Sequence, residues 1–172
     1  MNLQSNDFEL FDLPVAFALH RPALDDRWKA LQREVHPDRF TTADAVTQRR
    51  AMQWSVRINE AYQRLKDPLK RAAYLCELHG APIEAENNTA MPPQFLMQQM
   101  QWREALEEAR SADDVQALAD EVNAHRRALF QEAGSLADER HDYAALAGQV
   151  RALMFVERFA ADIDNRLDQL GQ

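Results

Sequence analysis

The most specific chemical signal in this chain is the tripeptide His36-Pro37-Asp38. The imidazole offers a hydrogen-bond donor and an acceptor, and the carboxylate can accept both arms of an arginine guanidinium. Pro37 disfavours helical dihedrals at His36 and stiffens the turn that follows. A stiff turn with a polar side chain at each end is better suited to docking on another protein than to catalysis.

No catalytic constellation competes with this turn. The five histidines and the single cysteine lack the spacing of zinc ligands, and the sequence contains no Gly-rich phosphate loop. Cys76 follows Leu75 on an apolar helix face, where a small core residue is expected. The sequence therefore predicts that the protein is not an enzyme and holds no metal or cofactor.

Two helices must position the turn. The first is predicted to run from about Leu24 to Val35, with an apolar stripe on one side and Lys29 and Arg33 on the opposite, solvated side. Thr41 or Thr42 is expected to cap the second, which ends at Lys66. The two stripes consist of Leu24, Trp28, Leu31 and Val35, and of Ala51, Ser55, Ile58, Tyr62 and Leu65. The turn thus joins an antiparallel helical hairpin with a basic face.

Short helices flank the hairpin. Residues 8–13 form an apolar turn of helix that Pro14 closes, and Asp67-Pro68 starts a helix that Gly80 ends. Residues 80–93 contain three prolines and no periodicity, which predicts a linker. We therefore expect an N-terminal domain at residues 1–79, the linker at 80–93 and a C-terminal domain at 94–172.

The C-terminal domain is predicted to contain three helices. The first spans about Gln94 to Arg110, Ser111 or Asp113 caps a second that stops near Gly134, and a third begins around Asp138. Each carries an apolar stripe, and a three-helix bundle buries all three stripes. Few strand-like alternations occur, so the fold class is all-α.

The helix that starts near Gln94 has two apolar faces. Phe95, Trp102, Leu106 and Ala109 share one side, whereas Leu96, Met97 and Met100 lie roughly 100–200° away. The second face either packs on the N-terminal domain or forms an exposed, methionine-rich patch for a partner. Phe155 lies off the main stripe of the third helix and could join this patch.

The charge is unevenly spread along the 172 residues. Residues 1–79 carry 12 Lys or Arg and 11 Asp or Glu, whereas residues 80–172 carry 8 and 17. The acidic half disfavours nucleic-acid binding. No apolar run approaches the ~20 residues that span a bilayer, and the N-terminus lacks a signal-peptide pattern. These features favour a cytoplasmic protein without a membrane anchor.

Several motifs occur together in the order typical of one family. A basic helix and His-Pro-Asp-Arg-Phe are followed by the run from Ala61 to Ala73, Tyr74-Leu75-Cys76-Glu77-Leu78-His79-Gly80, and Phe95-Leu96-Met97. The N-terminal part resembles a J-domain, and nearly the whole chain resembles the HscB family of iron-sulfur cluster co-chaperones. This resemblance implies a J-domain that stimulates the ATPase of a specialised DnaK-type chaperone (HscA). It also implies a C-terminal bundle that binds the cluster scaffold protein (IscU).

The resemblance assigns residues to both contacts. The chaperone would contact the turn and the basic residues beside it, namely His36, Pro37, Asp38, Lys29, Arg33 and Arg39. The scaffold would contact Leu96, Met97, Met100, Gln101, Glu104 and Phe155. Gln101 stands where an acidic residue is expected, which puts its contribution in doubt. His20 replaces an expected helix-capping aspartate, which should affect stability more than activity.

Two other functions fit parts of this sequence. A general J-domain co-chaperone would recruit unfolded clients, usually through a Gly/Phe-rich segment and Cys-x-x-Cys pairs, and the sequence has neither. A helical adapter with a non-working J-like domain is the other alternative. An ATPase assay with the partner chaperone distinguishes them.

Overall fold

The computed structural model describes residues 2–171, and every regular element in that range is helical. We number the helices α1 (Asp7–Leu10), α2 (Arg21–Val35), α3 (Ala45–Lys66), α4 (Pro68–Leu78), α5 (Pro93–Glu108), α6 (Ala112–Gly134) and α7 (Tyr143–Leu170). A 3₁₀ turn, Pro37–Phe40, follows α2, and a π-helical segment, Ser135–Glu139, follows α6. The all-α prediction is confirmed.

The chain divides into two compact units between Tyr74 and Leu75. The division falls inside α4, so this helix supplies residues to both units. Residues 80–93 belong to the second unit. Ile83 is buried there, and the Arg151 guanidinium of α7 donates hydrogen bonds to the carbonyls of Ile83 and Ala90, each at 3.0 Å. The segment that we expected as a linker therefore has specific partners within the second unit.

In the first unit, α2 and α3 form the predicted antiparallel hairpin, and α1 packs on α3. The core contains Phe8, Leu24, Ile58 and Leu65, all fully buried. Asp7, whose side chain is also fully buried, lies 2.8 Å from the guanidinium nitrogens of both Arg57 and Arg64. These two cations compensate the buried carboxylate and fix α1 on α3.

The second unit is built on α7, the longest helix. Its 28 residues pack on α6, and α5 completes a three-helix bundle whose core contains Trp102, Val115, Val122, Phe159 and Ile163. The bundle prediction agrees with this arrangement. Of the two predicted caps of α6, Ser111 and Asp113, Ser111 is the one that caps the helix, and it accepts a hydrogen bond from the Asp114 N–H.

Two predicted helix starts are wrong. Thr41 has helical dihedrals because the 3₁₀ turn continues into it, so it cannot cap α3; Asp44 is extended and accepts from the Thr47 N–H at 2.7 Å. Likewise α7 begins at Tyr143 instead of near Asp138. The π-helical segment continues α6 and keeps Leu136 and Ala137 buried, and Asp142 then caps α7.

Candidate functional site

The His-Pro-Asp turn lies at the end of α2 with its polar side chains outward. The side chains of His36 and Asp38 are 54% and 88% exposed. His36 caps the 3₁₀ turn because its Nδ1 accepts a hydrogen bond from the Asp38 N–H at 3.2 Å. In the neutral ring this bond places the proton on Nε2, which leaves a donor free for a partner. The Asp38 carboxylate is also exposed to a cationic partner, and its Oδ2 lies 3.5 Å from His36 Nδ1.

The basic side chains that lead into the turn have different roles. Lys29 and Arg33 are exposed and lie one turn apart on the same side of α2. Arg39 folds back, and its Nη1 donates to the Arg33 carbonyl at 3.0 Å. This bond satisfies one of the carbonyls that the end of α2 leaves unpaired. Arg39 therefore stabilises the turn geometry within the unit, a role that the sequence did not predict.

Cross-helix contacts hold the hairpin that carries the turn. The ring of Trp28 stacks on Tyr62 with centroids 4.5 Å apart, and its Nε1 donates to Asn59 Oδ1. Gln32 Nε2 also donates to Asn59 Oδ1, at 2.7 Å. Gln32 and Asn59 fall outside the apolar stripes, so periodicity could not identify this polar bridge. The bridge fixes α2 against α3 one turn before His36.

The second candidate surface is the exposed face of α5. Phe95, Trp102 and Ala109 are buried, whereas Leu96, Met97 and Met100 are 52%, 68% and 72% exposed. The prediction of two apolar faces on this helix is confirmed. Gln101 and Glu104 are exposed one turn after Met97 and Met100 and supply polar groups beside the apolar ones. We call Leu96, Met97 and Met100 the α5 face.

Phe155 does not belong to the exposed α5 face. Only 6% of it is accessible, and its ring lies 5.8 Å from the rings of both Phe95 and Phe159. Phe155 is therefore buried and not an exposed member of the patch, because α7 is covered on more than one side and buries residues well away from its main stripe. Its contact with the scaffold stays a prediction. The Arg103 guanidinium lies over the Phe155 ring at 5.2 Å.

Cys76 is fully buried, and its Sγ lies 3.7 Å from the Tyr143 carbonyl oxygen. Burial raises the pKa of the Cys76 thiol to about 12. The thiol is therefore protonated near neutral pH and is not a nucleophile.

Within residues 2–171, no three His, Cys, Asp or Glu side chains are grouped so that they could hold a metal ion. In the same range, no helix is long and apolar enough to cross a membrane.

Comparison with known proteins agrees with these features. Residues 91–164 match the family model described as the HSCB C-terminal oligomerisation domain. The chain is 52% identical over 173 residues to a protein of Burkholderia thailandensis named co-chaperone protein HscB homolog. The aligned region covers 99% of this chain and 98% of that protein. A homologue of the same name from Burkholderia multivorans is 49% identical over the same length.

The chain also superposes on solved structures of HscB proteins. Chaperone HscB from Vibrio cholerae superposes with a TM-score of 0.81 at 37% identity, covering 96% of this chain and 99% of that one. Human co-chaperone protein HscB superposes with a TM-score of 0.88 at 27% identity, covering 96% and 84%. An exposed His-Pro-Asp turn on a helical hairpin, followed by a three-helix bundle, defines a two-part J-domain co-chaperone. Together with the sequence identities, these matches show that the chain belongs to the HscB family of co-chaperones.

Proposed function

We propose that this protein stimulates the ATPase of a specialised DnaK-type chaperone (HscA) and delivers the iron-sulfur cluster scaffold protein (IscU) to it. The observation that supports this proposal is that one chain exposes a polar turn on one compact unit and an apolar helix face on the other. The His36-Pro37-Asp38 turn is the chaperone contact, and the α5 face is the scaffold contact. The site of action is the cytoplasm, and the end result is the maturation of iron-sulfur proteins.

The turn acts by binding one state of the chaperone more tightly than the other. His36 Nε2 donates a hydrogen bond, the Asp38 carboxylate accepts from a cationic side chain, and Lys29 and Arg33 meet an acidic surface. A ligand shifts a two-state equilibrium only through such differential affinity. Preference for the hydrolysis-competent state therefore raises the ATPase rate without any catalytic group in this chain.

The second surface supplies the client. Leu96, Met97 and Met100 bury against the scaffold, while Gln101 and Glu104 contribute polar contacts at the edge of the interface. Phe155 supports this surface from beneath, through its contact with Phe95. Because one chain carries both surfaces, a bound scaffold is present at high effective concentration beside the chaperone.

A steady-state ATPase assay of the partner chaperone with a His36→Gln variant tests the chaperone contact. Stimulation should disappear, because the flexible glutamine side chain carries an acceptor and a donor but lacks the rigid ring that fixes both positions on the turn. The melting temperature should stay near that of the parent, since His36 contributes nothing to the core. His20→Gln, at another exposed histidine of the same unit, is the matched control. Full stimulation by His36→Gln would contradict the proposal and favour a helical adapter.

A further inference from the structure

The segment that carries the His-Pro-Asp turn has no residue in the core. Val35 at the end of α2 is buried, the next buried residue is Ala51 in α3, and none of residues 36–50 between them is buried. Apolar packing therefore contributes little to the shape of this segment. Segments with few buried contacts open at a low cost in free energy. The geometry of the turn must then depend on hydrogen bonds.

Gln48, an exposed residue in the first turn of α3, supplies such bonds. Its Nε2 donates to the carbonyl of Phe40 at 3.0 Å and to those of Thr41 and Ala43 at 3.2 Å each. The two amide protons are thus shared among three carbonyls. Phe40 is the last residue of the 3₁₀ turn, and the other two residues belong to the loop that leads into α3. One side chain therefore attaches the end of the turn to α3.

The start of the turn is attached to α2. Arg39 Nη1 donates to the Arg33 carbonyl at 3.0 Å, and the Arg39 N–H donates to the His36 carbonyl at the same distance. Arg39 and Gln48 thus hold the turn from two different helices. The bonds of Gln48 end at residues 40–43, beyond the tripeptide. Any effect of Gln48 on the tripeptide is therefore transmitted by the backbone.

Loss of such an attachment should change affinity more than maximal rate. A turn that samples several conformations binds only through the fraction of molecules in the competent one, and the apparent affinity falls by that fraction. At saturating concentration the chaperone still selects the competent turn. The concentration that gives half-maximal stimulation therefore rises, whereas the maximal ATPase rate is unchanged.

We propose that Gln48 is a positioning residue, which holds the His36-Pro37-Asp38 turn in its chaperone-binding geometry from the side of α3. It acts by donating to the three carbonyls that follow the tripeptide, and it does so without contacting the chaperone. This assignment rests on the proposed function of the turn. It adds a residue that lies ten positions after Asp38 and outside the basic face of α2.

A steady-state ATPase titration with Gln48→Met and Gln48→Glu tests the assignment. Methionine keeps the length of the side chain and a high helix propensity, and glutamate keeps its shape, but neither can donate. The same substitutions at Gln63, an exposed glutamine of the same helix, are the matched controls. We expect both Gln48 variants to raise the half-maximal concentration about three- to tenfold at an unchanged maximal rate. The Gln63 variants should match the parent.

Hydrogen exchange of the free protein separates positioning from direct contact. In both Gln48 variants the Arg39 N–H should exchange severalfold faster than in the parent, because the turn opens more often. The N–H of Ile58, a buried residue of α3, should exchange at the parent rate. Melting temperatures should also stay near that of the parent, since the altered side chain is exposed.

The assignment is overturned if the Gln48 variants keep the parent values of both the half-maximal concentration and the Arg39 exchange rate. It is equally overturned if the half-maximal concentration rises while Arg39 exchange stays at the parent rate, since Gln48 would then contact the chaperone directly. In either case the proposed function stands, provided that the parent stimulates the chaperone. A parent that does not stimulate it defeats the proposed function and this assignment together.

Discussion

The Asp25 side chain connects α2 to α3 in the hairpin that carries the His-Pro-Asp turn. Its Oδ1 accepts a hydrogen bond from the Tyr62 hydroxyl at 2.7 Å and from Arg21 Nε at 2.9 Å. The Tyr62 hydroxyl, and after it the Arg21 guanidinium, hold the pKa of the Asp25 carboxyl below its usual value. A carboxyl with a lowered pKa in the folded state stabilises that state above its unfolded pKa of about 3.9, and this contribution is lost as pH falls through the folded value.

Tyr62→Phe should therefore raise the pKa of Asp25 toward that of a free aspartate. The ring stack on Trp28 is retained, so the substitution removes only the hydroxyl. A pH titration of the Asp25 carboxyl carbon by NMR measures the change directly, with the parent as reference. Equal midpoints in the two proteins would show that the hydroxyl does not stabilise the ionised carboxyl.

Among the elements, α2 lacks a side-chain cap at its N-terminus, and one substitution can supply it. His20 occupies the N-cap with extended dihedrals but makes no side-chain capping bond. His20→Asp should supply a side-chain acceptor for the Ala23 N–H, which in the parent donates to the His20 carbonyl at 3.1 Å, and a negative charge at the positive end of the helix dipole. We expect the free energy of unfolding to rise by about 0.5–2 kcal/mol at neutral pH.

The gain should disappear below about pH 4, where the new carboxyl is protonated. Denaturant unfolding at pH 7 and pH 3 measures both effects, and His20→Ala separates loss of histidine from gain of the cap. A variant with aspartate at position 20 that is no more stable than the alanine variant at pH 7 would show that α2 does not benefit from a cap there.

The segment before α5 depends on one buried cation. Arg151 is 7% exposed and donates to the carbonyls of Ile83 and Ala90, so its removal leaves these acceptors without their partner. Arg151→Met keeps most of the side-chain volume and should cost about 1–3 kcal/mol of stability. Arg127→Met, at an exposed arginine of α6, is the control and should change little.

Protease cleavage between residues 84 and 89 should become faster in Arg151→Met, because this stretch then loses its attachment to α7. Mass spectrometry of the fragments locates the cut. Unfolding free energies and cleavage rates equal to those of the parent would mean that the two hydrogen bonds do not hold the segment.

Hydrophobic periodicity predicted the elements well and their junctions less well. The stripes of α2, α3 and α5 are determined by residues three and four apart, so the hairpin and the two-faced helix could be derived from local sequence. The cap at Asp44 could not, since it depends on how far the 3₁₀ turn extends. The burial of Phe155 depends on neighbours from other helices, which a single stripe does not reveal. The Arg151 bonds to residues 83 and 90 are equally non-local.

At the scale of the whole molecule, the division between Tyr74 and Leu75 changes how the two functions should be separated. A fragment that begins at residue 94 would lack Ile83 and both carbonyls bound by Arg151, whereas one that begins at residue 75 keeps them. The boundaries at residues 79 and 94 remain predictions. The uneven charge follows the same division, because the acidic excess lies almost wholly in the second unit.

The central claim is that one chain couples a chaperone contact to a scaffold contact. Its most direct test is the steady-state ATPase rate of the DnaK-type chaperone, titrated with this protein in the presence and absence of the scaffold protein. The parent is compared with a variant carrying serines at Leu96, Met97 and Met100. A second variant with serines at Val46, Met52 and Val56, which are exposed apolar residues of α3, is the matched control.

For the parent and the α3 variant, the scaffold should lower the concentration needed for half-maximal stimulation, because tethering raises its effective concentration at the chaperone. The α5-face variant should retain stimulation in the absence of scaffold, lose the scaffold-dependent shift and melt at nearly the parent temperature. The account would be contradicted if the scaffold shifted the titration equally for the parent and the α5-face variant, or if the parent did not stimulate the chaperone.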